Sequence, residues 1–294
     1  MHLLAIYWDI DPVIFSLGPV QVRYYSLCFI IGFTIGYLYF KYFFKREGVS
    51  ASLLDPLLYT LIFGTLVGAR LGHCLFYEPD YYLANPIKIL YVWQGGLASH
   101  GGAIALLLCM WWFAHHYGKK NRFTFLWIMD RLGITVALVG MFIRLGNLMN
   151  SEIYGVETNL PWGFVFVRNG ELLPKHPTQL YEALAYLCLF LILITLYRRF
   201  LPKLKEGMLF GLFLLLLFSA RFFIEYIKQP QVDFEQGMAL NMGQLLSIPF
   251  ILAGAGLLVY SIIRGKPAMR EPDDASKPKK AASATPLSSV HGTY

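Results

Sequence analysis

Residues 207–227 read GMLFGLFLLLLFSARFFIEYI, and Arg221 and Glu225 are the only charges in the run. At about 1.5 Å per residue a helix of this length covers roughly 30 Å, the thickness of a bilayer's hydrocarbon core. Working outward, six more runs have the same character: 24–44, 56–77, 97–115, 127–149, 179–197 and 241–263. The run at 127–149 is the least regular, because Asp130 and Arg131 stand at its start. The whole chain agrees with these runs. Of 294 residues, 56% are hydrophobic and 15% charged, against about 25% charged in soluble domains. Such a chain cannot cover a water-facing surface, and disorder, collagen and coiled coil are excluded for most of it. The 26 glycines suit close helix packing in a membrane. The fold expected is an all-α polytopic membrane protein with seven transmembrane helices.

Basic residues orient the bundle. Lys41, Lys45 and Arg46, then Lys119, Lys120 and Arg122, then Arg198, Arg199, Lys203 and Lys205, then six more from Arg264 to Lys280, place 16 cations on one side. The other side holds 5: Arg23, Lys88, Arg168, Lys175 and Lys228. This predicts a cytoplasmic C-terminus and an N-terminus outside. The net charge of +7 arises from those loops and the tail, so nucleic acid is not an expected partner. The first 22 residues contain Asp9 and Asp11 and do not form a cleavable signal peptide; residues 11–22 are expected along the membrane surface. Residues 1–266 form the membrane domain, and the Pro-, Ser-, Ala- and Lys-rich residues 267–294 are expected to be a disordered cytoplasmic tail. Cys28, Cys74, Cys109 and Cys188 lie in apolar runs without a C-x-x-C; they are expected to be buried thiols, not a metal or redox site. No internal repeat and no matched pair of broken helices suggests a transporter.

An arginine at mid-membrane is unfavourable by about 2.5–3.5 kcal/mol, so each needs a cause. Arg70, Arg144 and Arg221 lie in the second, fourth and sixth spans, which all run outward. Each stands about five to seven residues from its outer end, roughly 8–10 Å below the interface. His100, Tyr25 and Glu182 open the odd spans at that level, and Asn147 and Glu152 close the fourth. The cytoplasmic half of most spans is plainly apolar. Taken singly, these residues have plainer readings. Arg221 could pair with Glu225, Arg70 could snorkel, His100, Tyr25 and Tyr77 could be interfacial, and Glu182 could pair with any arginine. Jointly, arginine forks suit phosphate oxygens, and the cluster points to a phospholipid site with His100 available for proton transfer.

The run RLGNLMNSEIYG (144–155) resembles the signature of bacterial prolipoprotein diacylglyceryl transferases. Arg144, Asn147, Asn150, Glu152 and Gly155 fall on it. Matching blocks occur, in order, at 11–27, 68–77, 95–102, 175–182 and 220–230, so the likeness covers about residues 10–264. His73 and Leu217 depart from it, each standing where many members have Tyr.

The resemblance implies a seven-helix bundle in the bacterial cytoplasmic (inner) membrane. A small periplasmic head region is expected at about 150–178, with the active site facing the outer leaflet. It implies transfer of the diacylglyceryl group of phosphatidylglycerol to the lipobox cysteine of a prolipoprotein signal peptide. The products are a thioether and glycerol-1-phosphate, and the step is the first in lipoprotein maturation. No metal or organic cofactor is implied. His100, Arg144 and Arg221 carry the family's catalytic positions. Tyr25, Asn147, Arg70, Tyr77, Glu152, Gly155 and Glu182 are expected around phosphatidylglycerol. His100 is either the base for the thiol or a headgroup positioner beside an arginine field that lowers the thiol's pKa. A lipid-binding or transport protein would use the same arginines, but would need a polar path through the cytoplasmic half.

Overall fold

The computed structural model describes residues 5–18, 20–229 and 239–268. Seven helices of 17–25 residues dominate: α1 (Tyr24–Glu47), α2 (Leu54–Phe76), α4 (Ser99–Asn121), α5 (Phe125–Met149), α6 (Thr178–Phe200), α7 (Met208–Ile224) and α8 (Met242–Arg264). A one-and-a-half-turn helix, α3 (Pro79–Ala84), follows α2. Six of the long helices are apolar enough to cross a membrane. Among the described residues α4 falls short, because its last turns carry His115, His116, Lys119 and Lys120. The expected tail lies almost entirely outside the described residues.

The all-α expectation needs one amendment. Within residues 11–22 lie β2 (Val13–Leu17) and most of β3 (Val20–Arg23), which pair antiparallel, and β3 runs straight into α1. Ahead of it, β1 (Ile6–Trp8) pairs in parallel with β4 (Phe164–Phe166). The Trp8 indole donates to the Leu148 carbonyl at 3.0 Å, and Leu148, Phe164 and Phe166 make a small second core. An ion pair of 3.1 Å between Arg168 and Asp11 joins the hairpin to the region between α5 and α6. These segments pack together where α5 ends and α6 begins.

Helices α2 and α4 touch backbone to backbone. Gly64, Gly68 and Gly72, one turn apart, face Cys109, Ala105 and Gly101. A Cβ on Gly72 would lie 2.7 Å from the Gly101 Cα. This is the small-xxx-small packing of membrane helices. Gly72→Leu is expected to destabilise the protein by at least about 1–3 kcal/mol through overpacking. Gly256→Ala, which meets nothing within 4 Å, serves as the control in detergent thermal melts. Equal melting temperatures would contradict this packing.

The remaining core mixes aliphatic and aromatic side chains; Phe43 and Phe44 of α1, Trp127 of α5 and Tyr197 of α6 are all buried in it. It ends, at the basic end of the bundle, in charges that the plainly apolar reading of that half did not include. Glu47 accepts from Arg131 Nε at 3.0 Å and also from its Nη2, from Trp127 Nε1 at 2.7 Å, and from the Tyr197 hydroxyl at 2.6 Å. The Arg131 guanidinium is fully buried and lies 4.4 Å from the Trp127 ring centroid. Asp130, equally buried, accepts from the backbone N–H groups of Gly207 and Phe210, each at 2.8 Å. Those are first-turn donors of α7, which has no side-chain cap of its own. Asp130 caps α7 from another helix, so Asp130 and Arg131 belong inside α5. The cysteines also differ from expectation. Cys74 is buried, Cys28 and Cys109 are half-buried, and Cys188 is exposed on the outside of α6. In lipid an apolar run need not turn every side chain inward, and a thiol is tolerated on the lipid face.

Candidate functional site

The signature run sits where α5 ends at the head. Past Met149 the chain reverses through two non-glycine residues with positive φ, Ser151 (54°) and Ile153 (62°), on either side of Glu152. For a β-branched residue this is a true outlier, and each such residue costs about 1–3 kcal/mol. The neighbours hold the strained turn. Glu152 N–H donates to the Asn147 carbonyl at 3.1 Å. The carbonyls of Ser151, Glu152 and Ile153 accept from Asn169, Gln179 and Thr178 at 2.7, 2.7 and 2.8 Å. The Glu152 carboxylate accepts from Asn147 Nδ2 at 2.7 Å and Asn150 Nδ2 at 3.3 Å. Asn147 Oδ1 in turn accepts from Arg144 Nη1 at 3.2 Å. The spacing Arg-x-x-Asn brings these side chains together because residues three apart share a helix face.

Gly155 completes the run by close approach. Its N–H donates to the His176 carbonyl at 2.8 Å. A Cβ there would strike the Ile227 carbonyl, the His176 Cβ and the Thr178 methyl. Three chain segments cross at this glycine, and no positive φ is involved.

Opposite stands Glu182 of α6, with no exposed surface. One carboxylate oxygen is 3.0 Å from Arg144 Nε and the other 2.8 Å from Lys228 Nζ. Lys228 is also 3.3 Å from Glu225. The result is an alternating row: Arg144, Glu182, Lys228, Glu225. Glu225 therefore pairs with Lys228, not with Arg221. Arg221 is half-buried and forms no hydrogen bond or ion pair with any described residue. Both Arg144 and Arg221 act electrostatically on the buried Tyr186 phenol. The Tyr25 ring packs on Gly146, and its phenol lies in the fields of Glu152 and Arg144.

The structure thus brings Tyr25, Arg144, Asn147, Glu152, Glu182 and Arg221 to one place, with Gly155 as part of its frame. His100, Arg70 and Tyr77 form a second group on the α2–α4 pair. His100 is exposed at the start of α4. Its ring is 5.7 Å from Tyr77, near parallel, and 5.7 Å from Phe76, edge-on. Tyr77 stacks on His73 at 5.6 Å, and His73 Nε2 lies 3.6 Å from Glu78. Arg70 differs from the lipid-binding expectation. It is 3% exposed, and it donates to the carbonyls of Lys88, Ile89, Gly95 and Gly96 at 2.6–3.2 Å. Its charge is spent on fixing the loop ahead of α4. No hydrogen bond or ion pair between described residues links the two groups.

Sequence reasoning missed Lys228 and Tyr186. Lys228 counts as an interfacial charge until the fold turns it inward; the available signal is its place three residues after Glu225 and seven after Arg221. A polar chain in the 175–182 block was also missed. Trp162 Nε1 donates to the Tyr181 hydroxyl at 2.9 Å, and that hydroxyl lies 3.2 Å from His176 Nδ1. Either the hydroxyl or the ring nitrogen can donate across this contact. Burial lowers the His176 pKa and so favours the neutral imidazole.

Comparison with known proteins adds to this geometry. The family model described as prolipoprotein diacylglyceryl transferase matches residues 12–260. A protein of Tolumonas auensis named phosphatidylglycerol–prolipoprotein diacylglyceryl transferase is 50% identical over 256 residues, covering 87% of this chain and 97% of that one. Relatives of the same name occur in Bacteroides fragilis, 43% identical over 270 residues (88% and 96% covered), and in Chloroherpeton thalassium, 41% identical over 257 residues (87% and 94% covered).

Proposed function

Because the chain belongs to the prolipoprotein diacylglyceryl transferase family, we propose that the site around Arg144 and Arg221 carries out that family's reaction. The activity is transfer of the diacylglyceryl group of phosphatidylglycerol to a prolipoprotein, the first step of lipoprotein maturation. In this reading the acceptor is the lipobox cysteine. Its thiolate attacks the glycerol carbon that bears the phosphate ester. The S–C bond forms, the C–O bond breaks, and glycerol-1-phosphate leaves with the electron pair. One observation carries the assignment: Arg144 is braced by Glu182 at 3.0 Å and Asn147 at 3.2 Å, while Arg221, whose charge also acts on Tyr186, forms no hydrogen bond or ion pair with a described residue. Preorganised cations of this kind stabilise charge that develops on a leaving group. Arg221 is the group free to take the phosphate, and Arg144 is held ready beside it. Glu182 and Lys228 fix Arg144, and Tyr25 packs against the last turns of α5 beside them.

His100 takes the thiol proton in this reading. Its imidazole is exposed, and its contacts among the described residues are with rings. His100→Asn is expected to lower kcat about 10²-fold or more, the usual weight of a general base, while the KM for phosphatidylglycerol changes little. An unchanged rate would remove His100 from proton chemistry.

Lys228 acts through Glu182. Lys228→Met is expected to lower kcat more than it raises KM, and Lys228→Arg to restore most of the rate. Equal losses in both variants would reduce Lys228 to a folding role.

The protein is a multi-pass membrane protein. We place it in the inner membrane with seven spans, the head end and site at the outer leaflet, and the C-terminal tail in the cytoplasm. The 16 to 5 division of basic residues supports this orientation, and labelling of single cysteines from each side checks it. The activity is tested by reconstitution with phosphatidylglycerol vesicles and a lipobox peptide. A diacylglyceryl mass gain on cysteine with matching glycerol-phosphate release is expected. Folded protein that yields neither would overturn the reading.

A further inference from the structure

We propose that the groove at the basic end of α4 holds the headgroup of an anionic phospholipid from the leaflet at that end, away from the transfer site. The groove is open on one side and offers about 350 Å³ of space. Trp111, His115 and Lys119 line it from α4, and Phe123, Thr124 and Phe125 line it from the turn into α5. The first three are four residues apart and share one helix face. The Trp111 and His115 rings stack at 5.8 Å and 19°.

Its polar inventory fits an anion. The Thr124 hydroxyl is already used, donating to Glu206 at 2.6 Å and accepting from Trp127 N–H at 3.1 Å. That leaves the Lys119 ammonium, exposed and without a hydrogen bond or ion pair to any described residue, and the exposed His115 imidazole. No carboxylate lines the groove; Glu206 lies behind Thr124 and is 3% exposed.

The surroundings fit a lipid in preference to a free phosphate. Above the groove, Ile104, Leu108 and Trp111 form an exposed row along α4, a track for an acyl chain. Below it, Lys119 stands in the last turn of a membrane-length helix, at headgroup level. Gly118 makes the floor possible, since a Cβ there would collide with the Phe123 carbonyl. The inference also accounts for the polar last turns that set α4 apart from the other long helices. It rests on the membrane character of the chain and not on the site assignments.

The test is native mass spectrometry of the full-length protein, delipidated in detergent and titrated with phosphatidylglycerol or phosphatidylcholine. Wild type is expected to retain one more phosphatidylglycerol than Lys119→Glu, with at least a fivefold difference in apparent affinity, and to show no such site for phosphatidylcholine. Ala114→Phe fills the groove without touching its charge and is expected to give the same loss while transfer activity persists. If Ala114→Phe loses transfer activity, His115→Leu replaces it. Combining Lys119→Glu with Arg144→Ala should remove two separate lipids. The proposal is overturned if the groove variants retain lipid as wild type does, if phosphatidylcholine competes equally, or if the two losses prove to be one lipid.

Discussion

Arg144→Ala is expected to cut diacylglyceryl transfer by about 10²–10³-fold or more, the loss seen when one preorganised donor to a developing anion is removed. The loss should fall on kcat more than on KM, because the charge on the departing glycerol phosphate peaks in the transition state. The protein should still insert and fold. Removing Arg144 leaves Lys228 as the shared partner of Glu182 at 2.8 Å and Glu225 at 3.3 Å, so each buried carboxylate keeps a cation. Arg144→Lys should recover only part of the rate. A single ammonium cannot reach Glu182 and Asn147 together as the forked guanidinium does. Turnover of the alanine variant at the wild-type rate, in reconstituted vesicles, would defeat the assignment of Arg144.

The second large effect concerns folding. Arg131→Ala should destabilise the protein by about 3–5 kcal/mol, the cost of leaving one half of a buried ion pair. Glu47 would keep the Trp127 and Tyr197 donors but lose its cation, in a place where its side chain is 4% exposed. Glu47→Gln combined with Arg131→Met should recover much of the loss. The pair itself then holds no buried charge, Asp130 keeps its two backbone donors, and the new amide oxygen still accepts from the indole or the phenol. Thermal melts in detergent decide the matter; an Arg131→Ala variant that melts with the wild type would remove this cluster from the account of stability.

Much of this molecule was legible in its sequence, and the exceptions have physical causes. The apolar runs located the long helices because lipid demands both length and hydrophobicity from a spanning segment. The run at 97–115 stops short of the true end of α4 at Asn121, since hydropathy cannot follow a helix into the headgroup layer. Strand β1 was invisible. Three residues carry too little pattern, and their partners lie at Phe164–Phe166, far along the chain. The likeness at 144–155 led to Arg144, Asn147 and Glu152; the first two share a helix face, three residues apart, while Glu152 lies past the end of α5 and meets them only through the turn. The roles of Arg70 and Lys228 were not legible. Both depend on which carbonyls or carboxylates the fold places opposite, and a list of residues does not contain that. The same holds for the thiol of Cys188, whose helix face is set by neighbours supplied from elsewhere.

The capping of α7 by Asp130 has a consequence for how the chain is made. Asp130 leaves the ribosome 77 residues before Gly207, which at ordinary rates of synthesis is about 4–15 s. For that interval its carboxylate has none of the donors it will finally hold. The residue at its side, Arg131, is 3.7 Å away in the finished protein, and Arg131 can already reach Glu47, which was made earlier still. Biogenesis is thereby ordered in time: the first and fifth helices can lock while the nascent chain is still growing, and the seventh arrives at a carboxylate that has been waiting for it.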